Sequence, residues 1–210
     1  MLNLPATELI LGSASPRRAQ LLTLLGVQFE QCSVAYDETM QAHLSLEQQL
    51  DALINAKFTQ LLAHCKSQSD QALIPMLVAD TLVAIDGQWL GKPGDAQQAM
   101  HFLQQLSGRS HQVVTSVMLG TQVKQSSCFV WTDVSMRCLS SELIQAYIDT
   151  GEPFDKAGGY GLQSLGGALV KSINGSPSAV AGLPLAQTAE LLDEWGIGFA
   201  LATASLSSHR

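Results

Sequence analysis

The stretch Leu9-Ile10-Leu11-Gly12-Ser13-Ala14-Ser15-Pro16-Arg17-Arg18 decides how this chain begins to fold. Its apolar half predicts a buried strand, and the proline that follows a serine predicts the first turn of a helix, with Ser15 as N-cap. The helix N-terminus, the serine hydroxyls and two adjacent guanidinium groups together suit a polyanion such as a triphosphate. A capped helix with solvated arginines is the alternative for so short a motif.

Strand-like and helix-like segments alternate outward from this stretch. Ser45 and Gln48 form a capping box before a long helix, and Asp86-Gly87 is a hairpin-turn signal. The expected strands are 9–12, 27–34, 73–85, 88–90, 113–119, 129–137 and 168–173, and the expected helices are 15–25, 45–64, 95–106, 140–148 and 184–195. This alternation, with a hairpin in the middle, predicts an α/β fold with a mixed, twisted β-sheet flanked by helices.

Composition narrows the class of protein. The chain has 210 residues, 46% hydrophobic and 14% charged, which indicates one well-packed domain or two lobes around one core. A net charge of −7 argues against nucleic acid as a partner. We see neither a membrane span nor a signal peptide, and the four scattered cysteines suggest reduced, buried thiols, so we expect a cytoplasmic protein without membrane contact.

Two acidic segments are candidates for chemistry. Asp80 interrupts the apolar run 77–83, where a carboxylate is costly unless something pairs with it. It is therefore a candidate metal ligand or general base, the alternative being an aspartate bonded to nearby backbone. Asp37-Glu38-Thr39 places two carboxylates in a loop, either as a solvated turn or as oxygen ligands for Mg²⁺ or Mn²⁺.

Two glycine-containing segments add further candidates. Gly91-Lys92-Pro93 combines a close-approach residue with a point charge suited to phosphate, although taken alone it is a turn before a helix. The segment 151–163 surrounds Asp155, Lys156 and Tyr160 with glycines and ends at Gln163, whose amide suits a base edge. This segment suggests a loop shaped around a ligand.

Taken together and in order, these blocks resemble the Maf family of nucleotide pyrophosphatases from about Glu8 to Trp195. The matching stretches are Ser13-Ala14-Ser15-Pro16-Arg17-Arg18, Asp37-Glu38-Thr39, Ala79-Asp80-Thr81, Gly91-Lys92-Pro93, Leu106-Ser107-Gly108-Arg109-Ser110-His111, Asp155-Lys156-Ala157-Gly158-Gly159-Tyr160-Gly161 and Gly182-Leu183-Pro184-Leu185. The resemblance implies two lobes around a central cleft, one domain over residues 1–200, a polar tail over 201–210, and a homodimer.

The resemblance also implies a substrate branch. Arg17, Thr81 and Gln163 stand where the branch that prefers 7-methyl-GTP carries Trp, Gln and Glu, so the chain resembles the dTTP/UTP branch. The turn Gly175-Ser176-Pro177-Ser178 departs from the family pattern, and Gly159 replaces the usual Ala.

The implied reaction is hydrolysis of a nucleoside triphosphate to the monophosphate and pyrophosphate with a divalent cation, Mg²⁺ or Mn²⁺. Asp80 is the expected proton acceptor, and Glu38 and Asp80 the expected metal ligands. Lys57 and Lys92 are expected catalytic residues that add positive charge around the triphosphate, together with Glu38 and Asp80. The residues expected for binding and specificity are Ser13, Arg17, Arg18, Thr81, Asp155, Lys156 and Gln163. The alternatives are an enzyme that acts on modified pyrimidine nucleotides or on 7-methyl-GTP, and a nucleotide-binding regulator of cell division with little turnover.

Overall fold

The computed structural model describes residues 8–35, 44–67 and 74–200. Within these ranges seven strands form one mixed sheet: β1 (Leu9–Gly12), β2 (Phe29–Cys32), β3 (Met76–Ile85), β4 (Gln88–Leu90), β5 (Ser110–Gly120), β6 (Gln125–Met136) and β7 (Val170–Asn174). The helices are α1 (Pro16–Leu24), α2 (Leu46–Lys66), α3 (Ala96–Leu106), α4 (Ser141–Ile148), α5 (Pro177–Val180) and α6 (Leu185–Glu194). The predicted α/β fold with a mixed sheet is confirmed.

The sheet has the strand order β2-β1-β3-β5-β6-β7, and β4 pairs with β3 outside this path. Parallel pairing joins β1 to both β2 and β3, with Ile10 opposite Glu30 on one side and Met76 on the other. Antiparallel pairing joins β3 to β4 and β6 to β7. The predicted hairpin turn before β4 is confirmed, because both of its residues adopt positive φ, 53° at Asp86 and 74° at Gly87.

The chain divides into two compact units. The first comprises Met1–Asp80, Ser116–Phe129 and Leu185–Arg210, and the second comprises Thr81–Thr115 and Val130–Pro184. The boundary between the two units therefore falls within β3, between Asp80 and Thr81.

The core of the first unit lies between α2 and the strands. Gly12 permits the closest approach, because a Cβ added there would lie 2.5 Å from Leu61 Cδ2 and 2.7 Å from Val78 Cγ1. The apolar residues that recur at helical spacing along α2, such as Ile54 and Leu61, face this core. The buried cluster comprises Ile10, Ile54, Phe58, Leu61, Cys65, Met76, Val78 and Met118.

The second unit has its own core around α3 and α4. Its buried cluster comprises Val83, Ile85, Leu90, Ala99, Phe102, Leu103, Leu106, Val113, Val134, Met136, Ile144, Tyr147, Ile148, Tyr160 and Leu169. Asp95 caps α3 by accepting a hydrogen bond from the Gln98 backbone N–H at 2.7 Å, as its position in the sequence predicts. Each unit therefore has its own hydrophobic interior.

Two local predictions need correction. Ser15 occupies the N-cap position of α1, but its side chain accepts no capping hydrogen bond. Ser13 supplies the local acceptor instead, because its Oγ accepts from the Ser15 backbone N–H at 3.1 Å. All four cysteines are free thiols; Cys65 is buried as predicted, whereas Cys138 is exposed, so the expectation of four buried thiols is wrong.

Candidate functional site

The loop after β1 is held in place by side chains of β2 and α1. Ser13 is buried, and its backbone oxygen accepts a 2.7 Å hydrogen bond from the Gln31 side-chain amide of β2. Its hydroxyl oxygen lies 3.5 Å from Nη1 of Arg18, in the first turn of α1. Arg17, beside it on the first turn of α1, is half-buried. The fold therefore brings the predicted serine and arginines together at the start of one helix.

Asp80 lies between two cations of the first unit. Its Oδ1 is 3.9 Å from Nη2 of Arg18, and its Oδ2 is 3.9 Å from Nζ of Lys57. The Asp80 side chain is 15% exposed, so it is enclosed but still reached by solvent. Both separations are too long for direct hydrogen bonds and short enough for ion pairs, so each oxygen faces one positive charge.

Lys57 reaches this carboxylate from α2. Its side chain is 8% exposed, and its ammonium donates a 2.9 Å hydrogen bond to the backbone oxygen of Ala79. A buried ammonium is costly unless acceptors compensate for lost water, and here a carbonyl and a carboxylate do so. The helix lysine that the sequence named is thus directed at the aspartate.

Glu38, the other predicted catalytic and metal-binding residue, lies outside the described residues together with Asp37 and Thr39. Within the described ranges no group of three or more His, Cys, Asp or Glu side chains is arranged to hold a metal ion. The Asp80 carboxylate nevertheless has the donor chemistry that Mg²⁺ uses, because Mg²⁺ is often held by one or two carboxylates together with substrate phosphates and water.

The second unit carries the remaining candidates. Thr81 Oγ1 lies 2.9 Å from Oγ1 of Thr115, and Thr115 donates to the backbone oxygen of Ala179 at 2.7 Å. Lys92 is exposed in the loop after β4. That loop is joined to the segment 151–163, the glycine-rich segment, because the Gly158 N–H donates to the Gly91 oxygen at 3.0 Å.

Lys156 forms hydrogen bonds with residues of its own loop. Its ammonium donates to Asp155 Oδ1 at 2.6 Å and to the backbone oxygen of Glu152 at 2.8 Å, which leaves one of its three N–H donors for a further acceptor. Its side chain is buried, whereas that of Asp155 is 64% exposed. Gln163 is exposed on the turn that follows.

Glu152 organises that turn, a role that the sequence analysis missed. Its carboxylate accepts hydrogen bonds from the Tyr147 hydroxyl, the Ser164 hydroxyl and the backbone N–H groups of Leu165 and Gly166. Burial raises the pKa of the Glu152 carboxyl, but these hydrogen bonds and the nearby Lys156 charge outweigh burial and lower it overall. Glycine is required at 166, where an added Cβ would lie 2.6 Å from the Tyr147 hydroxyl oxygen.

A buried His111–Tyr160 pair supports the same segment from β5. The His111 Nε2 lies 2.6 Å from the Tyr160 hydroxyl, and the rings meet edge to face at a centroid distance of 5.4 Å. Burial lowers the pKa of His111 to about 4, so the imidazole is neutral at pH 7. The sequence block ending at His111 is a signal for this pair, although sequence alone assigns it no role.

The sequence of this chain is similar to sequences of known proteins. The Maf-like protein family model matches residues 8–195, which include every candidate site residue described above. This chain belongs to the Maf family. The Maf relatives include three proteins named dTTP/UTP pyrophosphatase. The one from Shigella boydii serotype 4 is 45% identical over 90% of this chain and 93% of its own length.

Two further proteins named dTTP/UTP pyrophosphatase are similar to the same degree. The protein from Escherichia coli O157:H7 is 44% identical over 90% of this chain and 93% of its own length. That from Pseudoalteromonas translucida is 47% identical over 87% and 94%. A solved structure, the Staphylococcus aureus Ham1 protein, matches 62% of this chain and 72% of its own at 10% identity and a TM-score of 0.42, too weak a likeness to add to the family assignment.

Proposed function

We propose that this Maf family chain is a hydrolase that converts dTTP and UTP to the monophosphate and pyrophosphate. The observation that carries the proposal is Asp80 placed between Arg18 and Lys57 directly beside the β1–α1 loop. A carboxylate flanked by two cations suits the activation of water near a polyphosphate. The names of three relatives at 44–47% identity supply the substrate.

The positive charges bind the triphosphate. Arg17 and Arg18 offer planar, multiply donating groups beside the N-terminus of α1, and the Ser13 hydroxyl lies next to Arg18. Lys57 and Lys92 contribute point charges, and Lys156 retains one donor. These groups neutralise charge that develops on the phosphoryl oxygens in the transition state.

Asp80 accepts the proton of the attacking water. The water oxygen forms a bond to the α-phosphorus, and the bond from that phosphorus to the α–β bridging oxygen breaks. The electron pair of that bond leaves with pyrophosphate, and the water proton passes to the Asp80 carboxylate. Lys57, whose ammonium donates a hydrogen bond to the Ala79 backbone oxygen, lies 3.9 Å from this carboxylate.

A divalent cation, Mg²⁺ or Mn²⁺, belongs to this proposal. Asp80 and Glu38 would hold it through oxygen, and when bound it supplies charge neutralisation for the phosphates. Activity lost in EDTA and restored by Mg²⁺ or Mn²⁺ is the expected result.

Residues of the second unit select the base. Thr81 and Gln163 select the pyrimidine, with Asp155 and the glycine-rich segment shaping the surroundings of Gln163. The support is the match of Arg17, Thr81 and Gln163 to the dTTP/UTP branch, together with the hydrogen bonds of Glu152 that hold the turn carrying Gln163.

The proposal extends to the state of the protein. Residues 1–200 form one Maf domain followed by the tail 201–210, and the working form is a cytoplasmic homodimer. Among the described residues, no helix has both the length and the apolar character needed to cross a membrane. Sedimentation of the purified chain would reveal the dimer.

The decisive experiment is pyrophosphate release with Mg²⁺ or Mn²⁺ across dTTP, UTP, CTP, 7-methyl-GTP, ATP and GTP. Turnover confined to dTTP and UTP supports the proposal. Preferred turnover of 7-methyl-GTP would keep the reaction and overturn the specificity. Binding without turnover of any nucleotide would replace the enzyme with a nucleotide-binding regulator.

A further inference from the structure

We propose that Gln31 of β2 is a positioning residue for triphosphate binding. Its side-chain amide fixes the Ser13 backbone in the loop between β1 and α1, and through Ser13 it fixes the position of the Arg18 guanidinium. The inference rests on the proposed function, because it takes this loop to bind the triphosphate. It adds a residue that acts through Ser13 and not by contact with the nucleotide.

Gln31 lies where the pairing of the first two strands ends and the loop begins. β1 and β2 pair in parallel as far as Gly12 and Cys32, with Leu11 opposite Gln31. Ser13 is the first residue beyond this pairing, and its backbone oxygen accepts a 2.7 Å hydrogen bond from the Gln31 side-chain amide. A side-chain donor thus continues the attachment of β1 to β2 by one residue into the loop.

The buried position of Ser13 makes this hydrogen bond matter. Ser13 is 3% exposed, so its polar atoms need partners within the protein. Its N–H donates to the Leu11 oxygen at 3.0 Å, and its hydroxyl oxygen accepts from the Ser15 N–H at 3.1 Å. Among the residues that the structure describes, the Gln31 amide is the one donor to the Ser13 backbone oxygen. Without that amide, the Ser13 backbone would have to shift toward water to satisfy its carbonyl.

The Ser13 side chain connects this backbone to Arg18. The Ser13 hydroxyl oxygen lies 3.5 Å from Arg18 Nη1, and Arg18 Nη2 lies 3.9 Å from Asp80 Oδ1. One series of polar contacts therefore leads from Gln31 in β2 to Asp80 in β3, and it lies entirely within the first unit. A change at Gln31 consequently reaches the charged groups of the proposed site through a single residue, Ser13.

The Ser13 hydroxyl can donate its proton to a ligand. Its two contacts within the described residues, the Ser15 N–H and the Arg18 guanidinium, are both donors, so neither accepts the hydroxyl proton. The hydroxyl and the guanidinium together offer donors that suit phosphate oxygens. Because a shift of the Ser13 backbone displaces the hydroxyl and alters its contact with Arg18, Gln31 acts on the affinity for the triphosphate.

The test removes the Gln31 amide while keeping the length of the side chain. In Gln31→Met the Ser13 oxygen loses its donor, so the Kd of inorganic tripolyphosphate, measured by calorimetry with Mg²⁺, should rise about fivefold, the effect of one neutral hydrogen bond. KM for UTP should rise by the same factor while kcat changes less than about twofold, because the loop binds substrate and transition state alike. Gln28→Met, at an exposed glutamine three residues earlier, is the matched control and should change neither constant.

The possible outcomes are distinct. If Gln31→Met unfolds at a lower temperature but keeps the Kd and KM of the unmodified protein, Gln31 has only a structural role and the inference is overturned. If the unmodified protein binds tripolyphosphate without hydrolysing UTP, the proposed function fails, and the Kd of Gln31→Met still decides the role of Gln31. If the unmodified protein binds no tripolyphosphate, the inference fails whether or not UTP is hydrolysed.

A second variant covers the case in which Gln31→Met does not fold. Gln31→Glu keeps the shape of the side chain and removes its N–H donors, so it should also weaken tripolyphosphate binding, by at least about fivefold. Gln28→Glu is its control, because it adds the same charge close by in the chain and leaves the Gln31 amide in place. Equal Kd values for the two glutamate variants would contradict the role of Gln31.

Discussion

At the scale of single residues, the arrangement around Asp80 depends on long side chains from different elements. Arg18 comes from α1, Lys57 from α2 and Asp80 from β3, and they meet within 3.9 Å. Each cation also has a polar contact besides Asp80: Ser13 for Arg18 and the Ala79 carbonyl for Lys57. Each of the two positive charges beside the Asp80 carboxylate is therefore held by a second polar contact as well.

Asp80→Asn tests the proton acceptor. The amide keeps the shape but has no basic oxygen, so kcat should fall at least about a hundredfold while nucleotide affinity changes little. Steady-state kinetics with UTP and equilibrium binding measure the two effects. Asp193→Asn, on the exposed face of α6, is the matched control and should retain full turnover. Full turnover by Asp80→Asn would remove Asp80 from the mechanism.

Because His111 is buried, we expect the free energy of unfolding to depend on pH. Burial lowers the pKa of His111 to about 4 in the folded state, so the unfolded chain binds the proton more readily. Stability from this group is therefore complete above about pH 6.5 and is lost as pH falls toward 4. Between pH 7 and pH 5 the loss is about 2 kcal/mol in the free energy of unfolding.

Urea unfolding at the two pH values measures this loss, and His111→Gln should make the dependence shallower by the same amount. The exposed His101→Gln is the control and should keep the slope of the unmodified protein. An unchanged slope in His111→Gln would show that another group causes the dependence.

At the scale of elements, the glycine-rich segment is shaped by hydrogen bonds to one side chain rather than by its glycines alone. Glu152 accepts from Tyr147 of α4 and from the backbone of residues 165 and 166. Tyr160, within the same segment, is held by His111 of β5. The segment that carries Lys156 and Gln163 is consequently attached to both α4 and β5.

Glu152→Gln tests this attachment. The amide has one acceptor oxygen in place of two, so at least one donor is left unpaired and the protein should lose about 1–2 kcal/mol of stability. If the turn positions Gln163, KM for UTP should rise more than kcat falls. Thermal unfolding and kinetics measure these effects, with the exposed Glu190→Gln as control. A lower stability with unchanged KM would confine Glu152 to a structural role.

Much of the element level follows from sequence. The capping box at Ser45 and Gln48 is present with both of its hydrogen bonds, and β1, β4 and the end of α4 fall where they were predicted. Local signals suffice here, because caps and turns depend on residues three or four positions apart. The missed elements, such as α5 and the short 3-10 turns between 152 and 169, have no apolar periodicity to reveal them.

At the scale of the whole molecule, the first unit is assembled from three separate stretches of chain. One cluster joins two of them: Ser126 donates to Glu194 at 2.9 Å and accepts from the Trp195 indole at 3.1 Å. Lys124 completes it, 3.4 Å from Glu194 and 4.5 Å from the centre of the Trp195 ring. The start of β6 is thereby attached to the end of α6.

Ser126→Ala should destabilise the first unit by about 1 kcal/mol, because it removes the donor to Glu194 and leaves the half-buried indole N–H without its acceptor. Chemical denaturation measures the change, and Trp195 fluorescence reports it locally. The neighbouring exposed Ser127→Ala is a close control and should be neutral. Equal stabilities for the two variants would show that the cluster adds nothing to the fold.

The amino-acid sequence by itself determined the longer strands and helices, the caps at Ser45 and Asp95, the α/β class and the residue types available for chemistry. Those features depend on local periodicity and on the conformational preferences of nearby residues. Only the tertiary structure decided that Lys57 reaches the Ala79 carbonyl, 22 positions along the chain, and the Asp80 carboxylate, that Glu152 accepts hydrogen bonds from the turn after the glycine-rich segment, and that the Thr81 and Thr115 hydroxyls meet. These contacts join residues distant in the chain, and packing and hydrogen-bond geometry select them; no local pattern encodes them.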